Sequence, residues 1–355
     1  MLPGRPEFRT VQALRGVACL LVVAYHAIDA WGAGQSPPTA ADAIWPNGAA
    51  GVDMFFVISG FVMALSSAGL AGLVGARRFM VRRCRRLVPL YWLMTAAKLA
   101  VLGSLPAGML AGQAFPGAWP IAASLLFLPA RDAAGAIRPV LGVGWTLQFE
   151  MLFYALFALG LVLRRPPWRV VLPLLVPLAA AGFLRQPDWP APLVLANGLV
   201  LEFALGMGVA AWIGGPATPG PRLSILLAAI GLAMVLTLPQ PGPWRFAVWG
   251  LPAACVLLGA AGLERIAHGR LPTWLLRAGD ASYAIYLLHP FIVPPLVHAL
   301  SHLGGGLPVL IAASLAASTL GGVALHASVD RPLQAWLARA SQGRSTRPPA
   351  HFVQP

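Results

Sequence analysis

The chain has 355 residues, of which 58% are hydrophobic and only 10% are charged. A soluble domain carries about 25% charged residues, so this composition excludes a soluble globular protein and predicts a polytopic membrane protein. The formal net charge of +14 is also typical of nucleic-acid binders, but basic residues in a multispan protein reflect membrane topology, so we expect no nucleic-acid partner.

Ten apolar segments are long enough to cross a hydrocarbon core of about 30 Å as helices. The sequence therefore predicts an all-α membrane bundle of about ten transmembrane helices. Segment 11–30 has the apolar character of a signal peptide, but Arg15 and His26 lie within it, so we expect it to be retained. Segment 119–129 has only 11 residues, which predicts a short re-entrant or interfacial segment. The ten spans are 11–30, 52–70, 87–105, 143–163, 170–184, 192–213, 223–238, 246–262, 282–301 and 307–327.

The positions of Lys and Arg predict the orientation of the bundle, because cytoplasmic loops carry an excess of both. With ten spans and a cytoplasmic amino terminus, 19 of the 25 Lys and Arg residues fall on the cytoplasmic side. Counting 119–129 as a further span would remove this bias. We therefore predict that both termini are cytoplasmic, with a membrane domain over residues 1–330 and a disordered cytoplasmic tail over 331–355. The four arginines outside are Arg131, Arg138, Arg185 and Arg245.

Arg15 and His26 both lie in the first span. They are eleven positions apart, which on an α-helix places both on one face, about 16 Å apart along the axis. Ionisable residues within a membrane span tend to face a cavity or each other, so both are candidates for a functional site. The alternative for His26 is an interhelix hydrogen bond with only a structural role.

The second span begins with the sequence GVDMFFVISGFVM, residues 51–63. Asp53 lies at its outer rim, where the carboxylate could cap the helix or orient the imidazole of His26. Ser59 and Gly60 form a small-residue face that is suited to close helix packing.

A collar of six arginines within ten positions precedes the third span, in RRFMVRRCRRLVPLYW at residues 77–92. The collar could serve only as a topology anchor. Six guanidinium groups beside a helix entrance also make a strong anion site, which favours a ligand that carries phosphate.

The fourth span begins with GWTLQFEMLFY, residues 144–154, which places Glu150 at a depth similar to that of His26. Thr146 and Tyr154 lie four residues to either side on the same helix face, so we expect Glu150 to line the cavity that His26 enters. Four polar residues in other spans are expected to be mainly structural: Lys98, Asn197, Glu202 and His289. The three cysteines indicate neither a disulfide nor a metal site.

Five of these stretches, in this order, resemble the acyltransferase-3 family of bacterial integral-membrane O-acyltransferases, which modify cell-surface and secreted glycans. The stretches are ALRGVACLLVVAYHA, GVDMFFVISGF, the Arg83 and Arg86 pair before PLYW, WTLQFEMLFY, and SYAIYLLHP. Two departures from the family pattern are minor: Thr146 stands where Ser is commoner, and Asp330 where Glu is usual.

The resemblance implies an enzyme of the bacterial inner membrane that moves an acyl group, most simply acetyl, from cytoplasmic acyl-CoA to a hydroxyl of an extracytoplasmic glycan or glycolipid. It implies no bound cofactor and no metal. Membrane lipid and a periplasmic or polysaccharide-synthesis protein are the expected partners. His26 would act as general base or transient acyl carrier, assisted by Glu150 or Asp53. The remaining expected site residues bind the donor (Arg15, Arg82, Arg83, Arg86) or line the substrate cavity (Ser59, Trp145, Tyr154, His289).

The competing interpretation is a transporter or flippase of a lipid-linked or anionic solute, which also needs midplane polar residues and a basic mouth. The enzyme hypothesis makes a sharper geometric prediction. It requires His26 and the arginine collar to belong to a single continuous passage through the bundle.

Overall fold

The structure, a computed structural model, describes residues 8–35, 38–40, 44–104, 115–215, 218–239, 242–267 and 269–342. Within these ranges the chain is almost entirely α-helical. The helices are α1 (Arg9–Ala33), α2 (Gly51–Ser66), α3 (Gly72–Ser104), α4 (Ala118–Leu125), α5 (Trp145–Val162), α6 (Trp168–Ala181), α7 (Val200–Ile213), α8 (Pro221–Thr237), α9 (Leu251–Gly262), α10 (Glu264–Ala267), α11 (Thr273–Asp280), α12 (Ser282–His302), α13 (Leu307–Leu325) and α14 (Arg331–Gln342).

The predicted all-α membrane bundle is confirmed. In the described part of the chain seven helices are long and apolar enough to span a membrane, namely those containing α1, α2, α3, α5, α9, α12 and α13. The other three predicted spans coincide with α6, α7 and α8, which are apolar but shorter. Segment 119–129 overlaps the eight-residue helix α4, which is too short to cross a bilayer.

The carboxyl-terminal tail differs from the prediction. We expected disorder from residue 331, but Arg331–Gln342 forms the helix α14, which continues from α13 through a π turn at His326–Asp330. Asp330 stabilises this junction, because its carboxylate contacts His326 Nδ1 at 2.8 Å and accepts a hydrogen bond from Gln334 Nε2 at 2.7 Å. The rest of the predicted tail, 343–355, lies outside the described residues.

The amino-terminal helix α1 begins against a distant part of the chain. The carboxylate of Glu264, in α10, accepts hydrogen bonds from the backbone N–H groups of Arg9 and Thr10 at 3.0 and 2.9 Å. These N–H groups have no partner within their own helix, so the glutamate serves as its cap. Further along, α1 packs against α2, α11, α12 and α13, which places it in the interior of the bundle.

Two glycines allow α2 and α7 to approach closely. A Cβ atom on Gly60 would lie 2.0 Å from the carbonyl oxygen of Phe203, and one on Gly206 would lie 1.9 Å from that of Val57. No side chain fits at either position, so backbone packs on backbone, as small residues permit between membrane helices. The small-residue face predicted at Gly60 has this role, while the neighbouring Ser59 turns towards a cavity.

We expect Gly206→Leu to reduce the free energy of unfolding by about 1–3 kcal/mol, because the new side chain must push two backbones apart. Gly208→Leu is the matched control, since a Cβ at Gly208 meets no atom within 4 Å. Thermal unfolding of both purified variants in detergent measures the difference. Equal melting temperatures would show that the close approach contributes nothing.

Candidate active site

A cavity of about 130 Å³ opens between α1, α2, α3, α5 and α12. Such a space is smaller than the roughly 300–1,000 Å³ of typical ligand pockets, so only a slender part of a large ligand fits inside it. We call it the central cavity. Its polar and charged lining residues are Arg15, Ser59, Arg83, Arg86, Thr146, Glu150, Tyr154, Ser282, Tyr283 and Tyr286.

Three guanidinium groups from two helices converge on the central cavity. Arg15 donates hydrogen bonds to Ser282 Oγ at 2.9 Å and to Gln12 Oε1 at 3.2 Å. Arg83 hydrogen-bonds Ser66 Oγ and lies over the ring of Phe79. These contacts hold Arg15 and Arg83 in place without neutralising either charge, which leaves both free to attract an anion.

Arg82, the fourth predicted donor residue, is exposed and does not line the central cavity. The collar is helical, with Arg83 and Arg86 one turn apart on the cavity side of α3. The periodicity of a helix therefore divides the six arginines between two faces.

Glu150 supplies the carboxylate of the central cavity. Its Oε1 accepts hydrogen bonds from Ser59 Oγ at 2.8 Å and from Tyr154 Oη at 2.5 Å. The predicted neighbours on α5, Thr146 and Tyr154, do line the same space. Glu150 was expected to line the cavity that His26 enters, but His26 is not among the residues that line the central cavity, so this prediction is wrong.

His26 lies outside the lining of the central cavity, next to another histidine. Its ring centroid is 5.0 Å from that of His289, which in turn is 5.8 Å from the ring of Tyr286. His289 is fully buried, and neither of its ring nitrogens has a side-chain hydrogen-bond partner among the described residues. His289 was predicted to line the substrate cavity. It instead lies next to His26 and is not part of the lining of the central cavity.

Tyr286 separates the central cavity from this histidine pair. Its hydroxyl donates to the carbonyl oxygen of Val143 at 3.0 Å and lies 3.1 Å from Thr146 Oγ1. The continuous passage predicted between the arginines and His26 is therefore interrupted in this structure by a packed tyrosine ring.

Asp53 neither caps α2 nor orients His26. Its two carboxylate oxygens are bound by Arg245, with distances of 3.0 Å from Nε to Oδ1 and 2.8 Å from Nη2 to Oδ2. Arg245 also donates to the carbonyl oxygen of Ala49 at 3.0 Å. Glu202 lies beside this pair and is completely buried. Asp53 thus belongs to an ion-pair cluster that joins α2, α7 and the π turn Phe246–Gly250 before α9.

Sequence reasoning missed Arg245 and Tyr286 as partners in the site. A signal for Arg245 was present, because two carboxylates buried in apolar spans require a cation and Arg245 stands at the entrance of another span. Trp145, predicted to line the cavity, instead packs edge-on against Phe56 and Phe149 beside it. Within the described ranges, no group of three His, Cys, Asp or Glu side chains is placed to hold a metal ion.

Comparison with known proteins identifies the family. A family model described as an acyltransferase domain matches residues 8–327, which is nearly the whole chain. The chain belongs to the acyltransferase-3 family. It is a multi-pass membrane acyltransferase, with a cavity in which cationic side chains and one carboxylate meet.

Two curated relatives of this acyltransferase-3 protein support the assignment. The exopolysaccharide production protein ExoZ of Rhizobium meliloti (strain 1021) is 38% identical over 81% of this chain and 89% of its own length. The acyltransferase MdmB of Streptomyces mycarofaciens is 28% identical over 96% of this chain and 95% of its own. No solved structure matches the chain.

Proposed function

We propose that this protein transfers an acyl group, most simply acetyl, from acyl-CoA at the cytoplasmic face of the bacterial inner membrane to a hydroxyl of an extracytoplasmic glycan or glycolipid. The observation that carries the proposal is the convergence of Arg15, Arg83 and Arg86 on one cavity. Guanidinium groups bind phosphate in bidentate geometry, and coenzyme A presents several phosphate groups.

The relative ExoZ supports a polysaccharide as the acceptor. Its name refers to exopolysaccharide production, and more than a third of its aligned residues are identical in this chain. A glycan offers many hydroxyl groups, and the transfer of an acyl group to one of them needs only a base and an oriented thioester.

In this proposal the donor enters from the arginine collar. The phosphates rest on Arg83 and Arg86, and the pantetheine arm, which is narrow enough for the central cavity, extends past Arg15 along α1. Arg15 and His26 are about 16 Å apart along this helix, a separation that an extended pantetheine arm can cover.

His26 acts on the acceptor as general base. Its imidazole takes the proton of the acceptor hydroxyl, the oxygen forms a bond to the thioester carbonyl carbon, and the carbon–sulfur bond breaks. The coenzyme A thiolate then takes the proton from the imidazolium, which restores the neutral ring. In the covalent variant, the acyl group passes first to a ring nitrogen of His26 and then to the acceptor oxygen.

Transfer to His26 requires Tyr286 to move, because its ring closes the path in this structure. Two polar contacts hold its hydroxyl, and both are replaceable by contacts to an entering ligand. A donor-bound structure in which the Tyr286 hydroxyl keeps both contacts would contradict this route.

Incubation of membranes with radiolabelled acetyl-CoA, with and without the candidate polysaccharide, tests the proposed function. We expect label on the polysaccharide only when the protein is present. A transporter of a lipid-linked or anionic solute would move its solute without labelling it, so movement of an unlabelled solute in the same membranes would favour that alternative. Membership of an acyltransferase family argues against it.

We expect Glu150→Gln to bind coenzyme A severalfold more tightly than the unaltered protein. The change removes the negative charge from the lining of a cavity whose other charged groups are arginines, while the amide oxygen keeps the hydrogen bonds from Ser59 and Tyr154. Isothermal titration with coenzyme A measures the affinity, with Tyr154→Phe as the control that leaves the charge in place. Weaker binding to Glu150→Gln would show that the carboxylate holds the donor.

A further inference from the structure

A second cavity, of about 710 Å³, lies at the end of the bundle where α2, α5 and α7 end and α6 begins. It shares no lining residue with the central cavity. Three parts of the chain form its walls. They are the end of α2 with the loop that follows it (within 64–71), the end of α5 with its following loop (within 161–167), and one face of α7. We call it the lateral cavity.

The lateral cavity is amphipathic. Arg164 and Arg165 stand at its rim, both exposed, and among the described residues neither guanidinium has an acidic or hydrogen-bond partner. The floor is apolar and includes Phe157, Leu172 and Met207. Cations above an apolar floor are complementary to an amphiphile with an anionic head group.

The surroundings of the lateral cavity indicate that it opens towards lipid. Leu163 and Trp168 lie next to the rim and are 53% and 50% exposed. Trp beside basic residues is typical of the membrane interface, where the head groups meet the acyl chains. A soluble ligand would gain nothing from such an apolar opening.

We propose that the lateral cavity binds one anionic phospholipid, with its phosphate on Arg164 and Arg165 and one acyl chain along the floor formed by α6 and α7. Aromatic rings in contact with one another lie between the two cavities. Phe157 lines the lateral cavity and stacks on Phe79 at 5.0 Å, and Phe79 meets Tyr154 of the central cavity edge-on at 5.9 Å. A lipid in the lateral cavity therefore supports the side of the donor site that carries Tyr154.

The proposal is tested by measuring lipid binding to the purified full chain in detergent by native mass spectrometry, with dioleoyl phosphatidylglycerol and dioleoyl phosphatidylcholine as probes. We expect phosphatidylglycerol to bind about tenfold or more tightly than phosphatidylcholine, because two guanidinium groups act on the net negative charge. The double variant Arg164→Gln with Arg165→Gln should lose that preference. The matched control, Arg265→Gln with Arg270→Gln, removes the same charge from exposed arginines elsewhere and should keep it.

A third variant fills the apolar floor. A Cβ on Gly208, which lines the lateral cavity, meets no atom within 4 Å, so Gly208→Phe should fold normally and reduce the binding of both lipids. Unchanged phosphatidylglycerol binding in the arginine double variant or in Gly208→Phe would overturn the proposal. Displacement of the lipid by free coenzyme A would also overturn it and assign the lateral cavity to the nucleotide of the donor.

Discussion

Replacing His26 by alanine is expected to reduce acyl transfer by about a thousandfold or more, since general base catalysis by a positioned side chain contributes about 10²–10⁴-fold. The imidazole of His26 is half-buried, whereas that of its neighbour His289 is fully buried, so we expect an acceptor hydroxyl to reach the ring of His26. The rate of label transfer from radiolabelled acetyl-CoA to polysaccharide measures the effect.

The control for this experiment is His298→Ala, which removes an exposed histidine on α12 far along the helix from His289. Both variants should be recovered from the membrane with unchanged melting temperatures, because neither side chain makes a hydrogen bond in the described part of the chain. Normal transfer by His26→Ala would remove His26 from the mechanism. It would then leave the central cavity, with Glu150 and its arginines, as the place of the chemistry.

The second large effect is expected for the double variant Arg83→Gln with Arg86→Gln. Each hydrogen bond to a charged group contributes about 1.5–3 kcal/mol, so the loss of two guanidinium groups should weaken coenzyme A binding by at least about a hundredfold. Isothermal titration of the purified protein with coenzyme A measures this change, and turnover at saturating donor should fall much less.

The collar provides its own matched control. Arg77→Gln with Arg78→Gln removes the same charge from the same helix, but both residues are exposed and neither lines the central cavity. The donor-binding hypothesis requires a large effect for the first pair and a small one for the second. If both double variants bind coenzyme A as the unaltered protein does, the collar is a topology anchor and binds no donor.

The helices of this protein could be predicted from sequence because their signal is local. Each predicted span overlaps an apolar helix in the structure, although the helix in 192–213 begins only at Val200, since an apolar run in lipid can satisfy its backbone only as a helix. The tail was predicted less well. The helix Arg331–Gln342 is amphipathic, with Trp336 exposed, and its mixed composition resembled that of a disordered segment.

The neighbours of the site residues could be predicted only in part. Position along a span fixes the depth of a side chain, and helical spacing correctly grouped Thr146, Glu150 and Tyr154 on one face. Neither the depth nor the helical spacing shows which other helix packs against that face. Glu150 and His26 were paired because their depths agree, whereas the packing of α5 gives Glu150 to Ser59 on α2.

The same limitation explains why the partner of Asp53 was not predicted. Its preference for Arg245 over His26 depends on the position of a residue that is 192 positions away in sequence, just before a π turn. An ion pair between groups so distant along the chain leaves no periodic pattern. It can be inferred only from the requirement that a buried carboxylate have a cation nearby.

The cap that Glu264 places on α1 has a consequence for biogenesis. Three features of α1 depend on residues between 264 and 282. They are the capped first turn, the contact of Gln12 with Asp280 and the contact of Arg15 with Ser282. During synthesis the first helix enters the bilayer long before the ribosome reaches those codons. Arg15 therefore acquires its final position only after residue 282 has been synthesised, and a nascent chain released earlier has no assembled site.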